Sequence, residues 1–166
     1  MSFDSFDLHP KIVAGVQALG YSTPTPIQRR AIPLVLQGQD VLGLAQTGTG
    51  KTAAFVLPIL QRLVKTPRGC IQALVIAPTR ELSDQINATF ETLGRQTHLR
   101  SFPIYGGVPI APQIRKLRSG VEIVVACPGR LLDHIHQGTI RLSTLEVLVL
   151  DEADRMLDMG FLPDIR

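Results

Sequence analysis

The chain has 166 residues, 45% of them apolar, and a formal charge of +3; that is enough for one folded domain with its own core and too apolar for a disordered tail. A sequence pI near 9.2 is compatible with a polyanionic partner without demanding one. Cys70 and Cys127 lack the spacing of a zinc site or a disulfide framework, and no run approaches the ~18 apolar residues that span a bilayer, so the cytoplasm is expected and a membrane partner is not.

Ile12, Val13, Val16 and Leu19 recur at helical spacing and predict a helix over 10–19. A second helix is expected over 26–36, with Thr25 as its N-cap and Pro26 in its first turn. Apolar runs then alternate with helix-like stretches: runs at 41–44, 73–77, 101–104, 121–126 and 145–150, helices near 51–63, 81–93, 109–117 and 129–136. Pro58 is expected to kink or shorten the first of these helices. The runs at 123–126 and 147–150 are apolar at every position, the pattern of strands covered on both faces. Such alternation predicts an α/β fold: an open parallel sheet with helices on both faces and ligands beyond the carboxyl ends of its strands. Residues 1–38 read as N-terminal helices of the same domain as residues 39–166.

Between the run at 41–44 and the next helix stand Ala45-Gln46-Thr47-Gly48-Thr49-Gly50-Lys51-Thr52. Strand, glycine loop and helix in that order make a cradle for a triphosphate. The glycines let backbone N–H groups turn inward, and the helix N-terminus adds a favourable dipole. Lys51 is suited to reach the β- and γ-phosphates and the Thr52 hydroxyl to ligate Mg²⁺. Ala45 stands where the G-x-x-x-x-G-K-[ST] pattern has its first glycine. Thr79-Arg80 and Gly129-Arg130 each follow an apolar run and open a helix, where N–H groups and an adjacent guanidinium suit phosphate oxygens. The last run leads into Asp151-Glu152-Ala153-Asp154. Asp151 is placed to hold Mg²⁺ through water, and Glu152 to orient or deprotonate an attacking water. Alone, that acidic run reads equally well as the first turn of a surface helix.

Asp-Glu-Ala-Asp together with the loop at 45–52 closely resembles the DEAD-box family of ATP-dependent RNA helicases, in which alanine is common at the first loop position. The resemblance covers nearly the whole chain, with a bacterial, RhlE-like flavour. It runs through Gly20-Tyr21-Ser22-Thr23-Pro24-Thr25-Pro26-Ile27-Gln28, Pro78-Thr79-Arg80-Glu81-Leu82, Gly106-Gly107, Pro128-Gly129-Arg130 and Arg155-Met156-Leu157-Asp158-Met159-Gly160-Phe161. It implies an N-terminal RecA-like domain, a P-loop NTPase fold, using ATP and Mg²⁺. In that family Gln28 would pair with the adenine edge, Tyr21 would offer a flat face to the base with Phe3 packing near it, and Thr23 would add a further contact.

The same resemblance implies that Pro78, Thr79 and Arg80, Gly106 and Gly107, and Pro128, Gly129 and Arg130 line an RNA path, touching phosphates and 2′-hydroxyls without reading bases. The helix through Leu131, Leu132 and Asp133 would bend one RNA strand. Cys127 stands where threonine is usual, which weakens a hydroxyl contact because a thiol is a poor donor. His9, His98, His134 and His136 show no ligand spacing and read as surface or packing residues. Family members continue into a Ser-Ala-Thr motif and a second RecA-like domain whose arginines complete the ATP site. Residues 1–166 lack these, so this stretch is expected to be incomplete at its C-terminus, to bind adenine nucleotide and to unwind nothing alone. An ATP-gated RNA clamp and a DNA-directed translocase of the same superfamily stay open as alternatives.

Overall fold

Thr25 opens α2 (Pro26–Leu36) through a capping box: its hydroxyl accepts from the Gln28 N–H, and Gln28 Oε1 accepts from the Thr25 N–H at 2.9 Å. In the computed structural model, which describes residues 2–166, α1 (Pro10–Ala18) is capped by His9, whose Nδ1 accepts from the Lys11 N–H. The His9 N–H donates to Gln61 Oε1 on α3 (Lys51–Leu63) at 2.7 Å. That helix continues through Pro58 to Leu63, so the proline does not shorten it. Burial explains this. Eight of its residues, Leu57, Leu60 and Leu63 among them, are buried, and each large apolar side chain contributes about 1.5–3 kcal/mol against a proline cost of about 3. These helices, the 3₁₀ turn Phe3–Phe6 and the segment Thr89–Leu99 belong to one compact unit.

A second unit comprises Pro67–Ala88 and Arg100–Arg166. Its centre is a parallel sheet in the order β2-β3-β1-β4, built from β1 (Ala73–Ile76), β2 (Ser101–Ile104), β3 (Ile123–Ala126) and β4 (Val147–Leu150). The crossovers contain α4 (Arg80–Leu93), α5 (Ile110–Arg118) and α6 (Pro128–His136), while α7 (Ala153–Asp158) and α8 (Leu162–Ile165) follow β4. Ile76, Ile104, Ala126 and Leu150 are in register, so all four strands end at one level. Leu74, Ile76, Ile104, Val124 and Ala126 pack with Leu117, Leu131, Ile140 and Met156. Pro103 is tolerated because β2 is an edge: the Arg100 carbonyl accepts from Ile123 and the Ile104 carbonyl from Cys127 just past β3, leaving the alternate residue turned outward.

At the amino end of the strands, the buried Glu122 carboxylate fastens the loops. It accepts from the Gly69 N–H at 2.7 Å, the Arg100 N–H at 2.8 Å and the Arg100 guanidinium at 3.1 Å. Burial opposes its ionisation, but these donors prevail and hold its pKa below the ordinary 4.5.

Two strand expectations need correction. Residues 41–44 join no strand of the sheet, and Leu42 and Leu44 are 90% and 89% exposed. An apolar run becomes a strand only where a neighbour pairs its N–H and C=O groups, and no described strand does so here. Among the described residues β4 bonds only to β1, and its exposed Leu148 and Leu150 alternate with half-buried Val147 and Val149. It is an edge strand with one open face, whereas β3 is buried throughout, as expected. Among the described residues no helix is long and apolar enough to cross a membrane.

Candidate nucleotide and nucleic-acid sites

In the first unit, the loop of Ala45, Gln46, Thr47, Gly48, Thr49 and Gly50 enters α3 through two left-handed glycines, Gly48 at φ 81° and Gly50 at φ 83°. The Thr49 hydroxyl donates to the Gln46 carbonyl at 2.6 Å and closes the loop on itself. No side chain caps α3, so the first-turn N–H groups around Lys51 and Thr52 are left for an anion. Gln28 Nε2 donates to the Gly50 carbonyl at 3.0 Å, while Gln28 Oε1 holds the Thr25 N–H. The buried Gln28 amide therefore joins the start of α2 to the start of α3 and keeps one N–H and one lone pair for a ligand. Phe3 is buried and stacks on exposed Tyr21 with centroids 6.1 Å apart, and Thr23 is exposed nearby in sequence. Phe3 is thus a buttress for Tyr21 and not itself an open face.

In the second unit, the common strand ends gather the remaining candidates on one edge. Pro78, Thr79 and Arg80 follow β1, Gly106 and Gly107 follow β2, Pro128, Gly129 and Arg130 follow β3, and Asp151 and Glu152 follow β4. The Thr79 hydroxyl accepts from the Leu82 N–H and caps α4. The Arg80 guanidinium lies 4.8 Å from the centre of the Tyr105 ring, a cation–π contact beside the glycine pair. Tyr105 has its pKa raised by burial and by the neighbouring Asp84 carboxylate, against Arg80. Cys127 occupies the N-cap of α6 without capping it, and its Sγ lies 3.4 Å from the Ser83 hydroxyl on α4. Burial pushes this thiol up, and Glu81 and Asp84 push it the same way, against the Ser83 hydrogen bond; it is no thiolate nucleophile.

Arg130, a candidate for RNA contact, is drawn inward: its side chain is only 12% exposed. Nη1 and Nη2 both donate to the Val108 carbonyl at 3.0 Å, Nη1 also reaches Gln113 Oε1 at 3.2 Å, and Nε lies 3.4 Å from the Asp133 carboxylate, poorly directed for a hydrogen bond. Buried carbonyls need donors, and guanidinium supplies five in one plane.

Gln113, Tyr105 and Ser83 join these loops without belonging to any of the motifs. The signal for Gln113 was present: it stands four residues before Leu117, on the buried stripe of α5 where an apolar residue belongs. His134 is a packing residue as expected, but a hydrogen-bonded one. Arginine only donates, so Gln113 Oε1 is an acceptor and the His134 Nε2–H donates to it at 3.0 Å, leaving Nδ1 to the Thr139 hydroxyl at 2.7 Å.

The Asp151 N–H extends the sheet by donating to the Ile76 carbonyl at 2.9 Å, and Asp151 Oδ1 accepts from the Glu152 N–H. Glu152 adopts the left-handed region at φ 52°, ψ 47°, a strained state for a residue with a Cβ, and its carboxylate accepts from Arg155. No cluster of three or more His, Cys, Asp or Glu able to hold a metal occurs among the described residues.

A family model for DEAD/DEAH box helicases matches residues 25–166. An ATP-dependent RNA helicase CshA of Listeria monocytogenes is 50% identical over 163 residues, covering 98% of this chain and 31% of that protein. A DEAD-box ATP-dependent RNA helicase CshA of Geobacillus kaustophilus is 46% identical over 164 residues, covering 99% of this chain and 35% of that protein. The chain thus spans about a third of the length of these curated relatives. The crystal structure of a DEAD box protein from Methanococcus jannaschii superposes with a TM-score of 0.93 at 40% identity, over 99% of this chain and 45% of that one. The fold is the RecA-like open parallel sheet of that structure.

Proposed function

The chain belongs to the DEAD/DEAH box helicase family, and from that premise we propose that it is the ATP-binding RecA-like domain of a cytoplasmic ATP-dependent RNA helicase, with residues 1–38 and 39–166 acting as one domain. RNA would be held along its backbone without sequence preference, and its presence would stimulate ATP hydrolysis and local strand separation. The observation that carries this reading is the convergence of three phosphate-type loops at one end of one parallel sheet. Arg80 lies on Tyr105 beside Gly106–Gly107, Arg130 binds Val108, and Cys127 meets Ser83. A P-loop enzyme acting on small molecules has no need of three such loops.

Lys51 would hold the β- and γ-phosphates, Tyr21 and Gln28 the adenine with Thr23 beside it, and Glu152 the attacking water and its proton. The Thr52 hydroxyl would suit Mg²⁺ that arrives with phosphates, and the Asp151 carboxylate would hold such an ion through water, since Mg²⁺ keeps waters and takes few protein ligands. ATP with Mg²⁺ supplies the anhydride to be cleaved and neutralises charge on the departing diphosphate. The exposed Leu148–Leu150 edge, with relatives about three times longer, supports the reading that further chain, including a second RecA-like domain, covers this sheet. The likeness to RhlE-like members remains part of the proposal, the matched relatives bearing the CshA name.

The test is steady-state ATPase of the intact protein with and without RNA. Lys51→Ala should abolish nucleotide binding. Glu152→Gln should lower RNA-stimulated turnover by ~10²–10⁴-fold, the range for losing a general base, while nucleotide and RNA still bind. Turnover indifferent to RNA, or stimulated equally by DNA, would sink the proposal.

A further inference from the structure

The turn between β2 and α5 carries two exposed glycines between two tethered carbonyls. On one side Gln113 Nε2 donates to the Tyr105 carbonyl at 3.0 Å; on the other Arg130 donates twice to the Val108 carbonyl at 3.0 Å. The two tethers are themselves joined, because Arg130 Nη1 donates to Gln113 Oε1, and His134 Nε2 donates to the same oxygen. Gln113 and His134 are buried, and Thr139 fixes the imidazole from its far side. Only Gly106 and Gly107 stand free of this set, exposed, with Gly107 at φ 77°, a conformation that a side chain would resist.

A buried set of three polar side chains is costly unless every member is paired, and an apolar trio would fill such a space more cheaply. What this set achieves is geometric. A free glycine pair loses more conformational freedom on binding than any other dipeptide, and fixing it beforehand removes that cost from the binding step. The clamp also ties this turn to the start of α6, where Gly129 is exposed, so two of the three phosphate-type loops share one support.

We propose that Gln113 is a positioning residue for RNA: with Arg130 and His134 it forms a buried clamp that presents Gly106–Gly107 ready-shaped to the phosphate backbone. This rests on the RNA reading above, and its test separates the two. In the intact protein, Gln113→Leu removes all three hydrogen bonds of the amide. Gln113→Glu keeps an acceptor for Arg130 and His134 but cannot donate to the Tyr105 carbonyl, and it serves if the first variant does not fold.

Each folded variant should need about tenfold more RNA for half-maximal ATPase stimulation, the order expected for about one to three lost hydrogen bonds. Turnover at saturating RNA and nucleotide affinity should stay within about twofold of the wild type. Amide hydrogens of Gly106 and Gly107 should exchange faster without any ligand present. An unchanged RNA requirement overturns the proposal, as does a joint fall in turnover and nucleotide affinity, which marks general loosening. If wild-type turnover ignores RNA, the RNA reading fails on its own account. Exchange then judges the clamp: faster exchange at the two glycines upholds it and unchanged exchange overturns it.

Discussion

At Gly50 two constraints coincide. Its φ of 83° belongs to glycine, and a Cβ there would lie 2.5 Å from Gln28 Nε2, the atom that donates to the Gly50 carbonyl. Gly48 has nearly the same φ, 81°, but open space around its missing side chain. Gly48→Ala should therefore cost only the left-handed penalty, about 1–2 kcal/mol. Gly50→Ala should cost more and also loosen Gln28, lowering affinity for adenine nucleotide more than tenfold. Denaturant melts and nucleotide titrations of the two variants side by side check this; equal losses would show that the Gln28 contact is unimportant. The glycine loop is read from residue type and near neighbours, and Gln28 from the family resemblance. Their bond was legible from neither, since 22 residues separate them.

At the scale of elements, α6 begins without a side-chain cap, although Cys127 has the extended backbone of an N-cap residue. Cys127→Thr should stabilise the helix by about 1 kcal/mol, the usual worth of such a cap, provided that the contact with Ser83 is kept. Thermal melts decide this; an unchanged melting temperature counts against it. The same helix carries His134, whose pKa burial lowers first and the Arg130 charge lowers further, with Asp133 opposing. Glu122 at the other end of the sheet is also held low.

Both groups bind protons more readily in the unfolded chain, so stability rises with pH. The His134 share is complete above its ordinary 6.5 and is lost as pH falls towards the folded value. The Glu122 share is complete above 4.5 and fails below that. Melting temperature should thus decline in two stages on acidification, and His134→Gln, which keeps a donor for Gln113, should flatten the first stage alone. Helical extents were close to expectation for α1 to α6 because caps and apolar spacing act locally. The direction of Arg130 was not, because Val108 and Gln113 reach it across 22 and 17 residues.

For the whole molecule, the open side of β4 has consequences that no single element shows. Exposed Leu148 and Leu150 on an unpaired edge strand favour self-association. In the 166-residue chain, Leu148→Lys should reduce light scattering at high concentration with little change in melting temperature. In the intact protein it should destabilise, if further chain covers that edge. If, as proposed, a second RecA-like domain supplies an arginine to the ATP site, the 166-residue chain should turn over little ATP with or without RNA, such a residue being worth ~10³–10⁵ in rate; vigorous RNA-stimulated turnover by it alone would contradict this.

The sequence by itself determined the α/β alternation, the capping box at Thr25, the glycine loop leading to Lys51 and Thr52, and the placing of Thr79, Gly106, Gly129 and Asp151 after apolar runs. Each depends on residues a few positions apart and on the period of burial. The tertiary structure alone decided that 41–44 stays unpaired, that β4 is an edge, that Arg130 faces inward, and that Gln113 holds a turn. A strand exists only when another chain segment offers hydrogen bonds, and a buried polar group points wherever its distant partner lies.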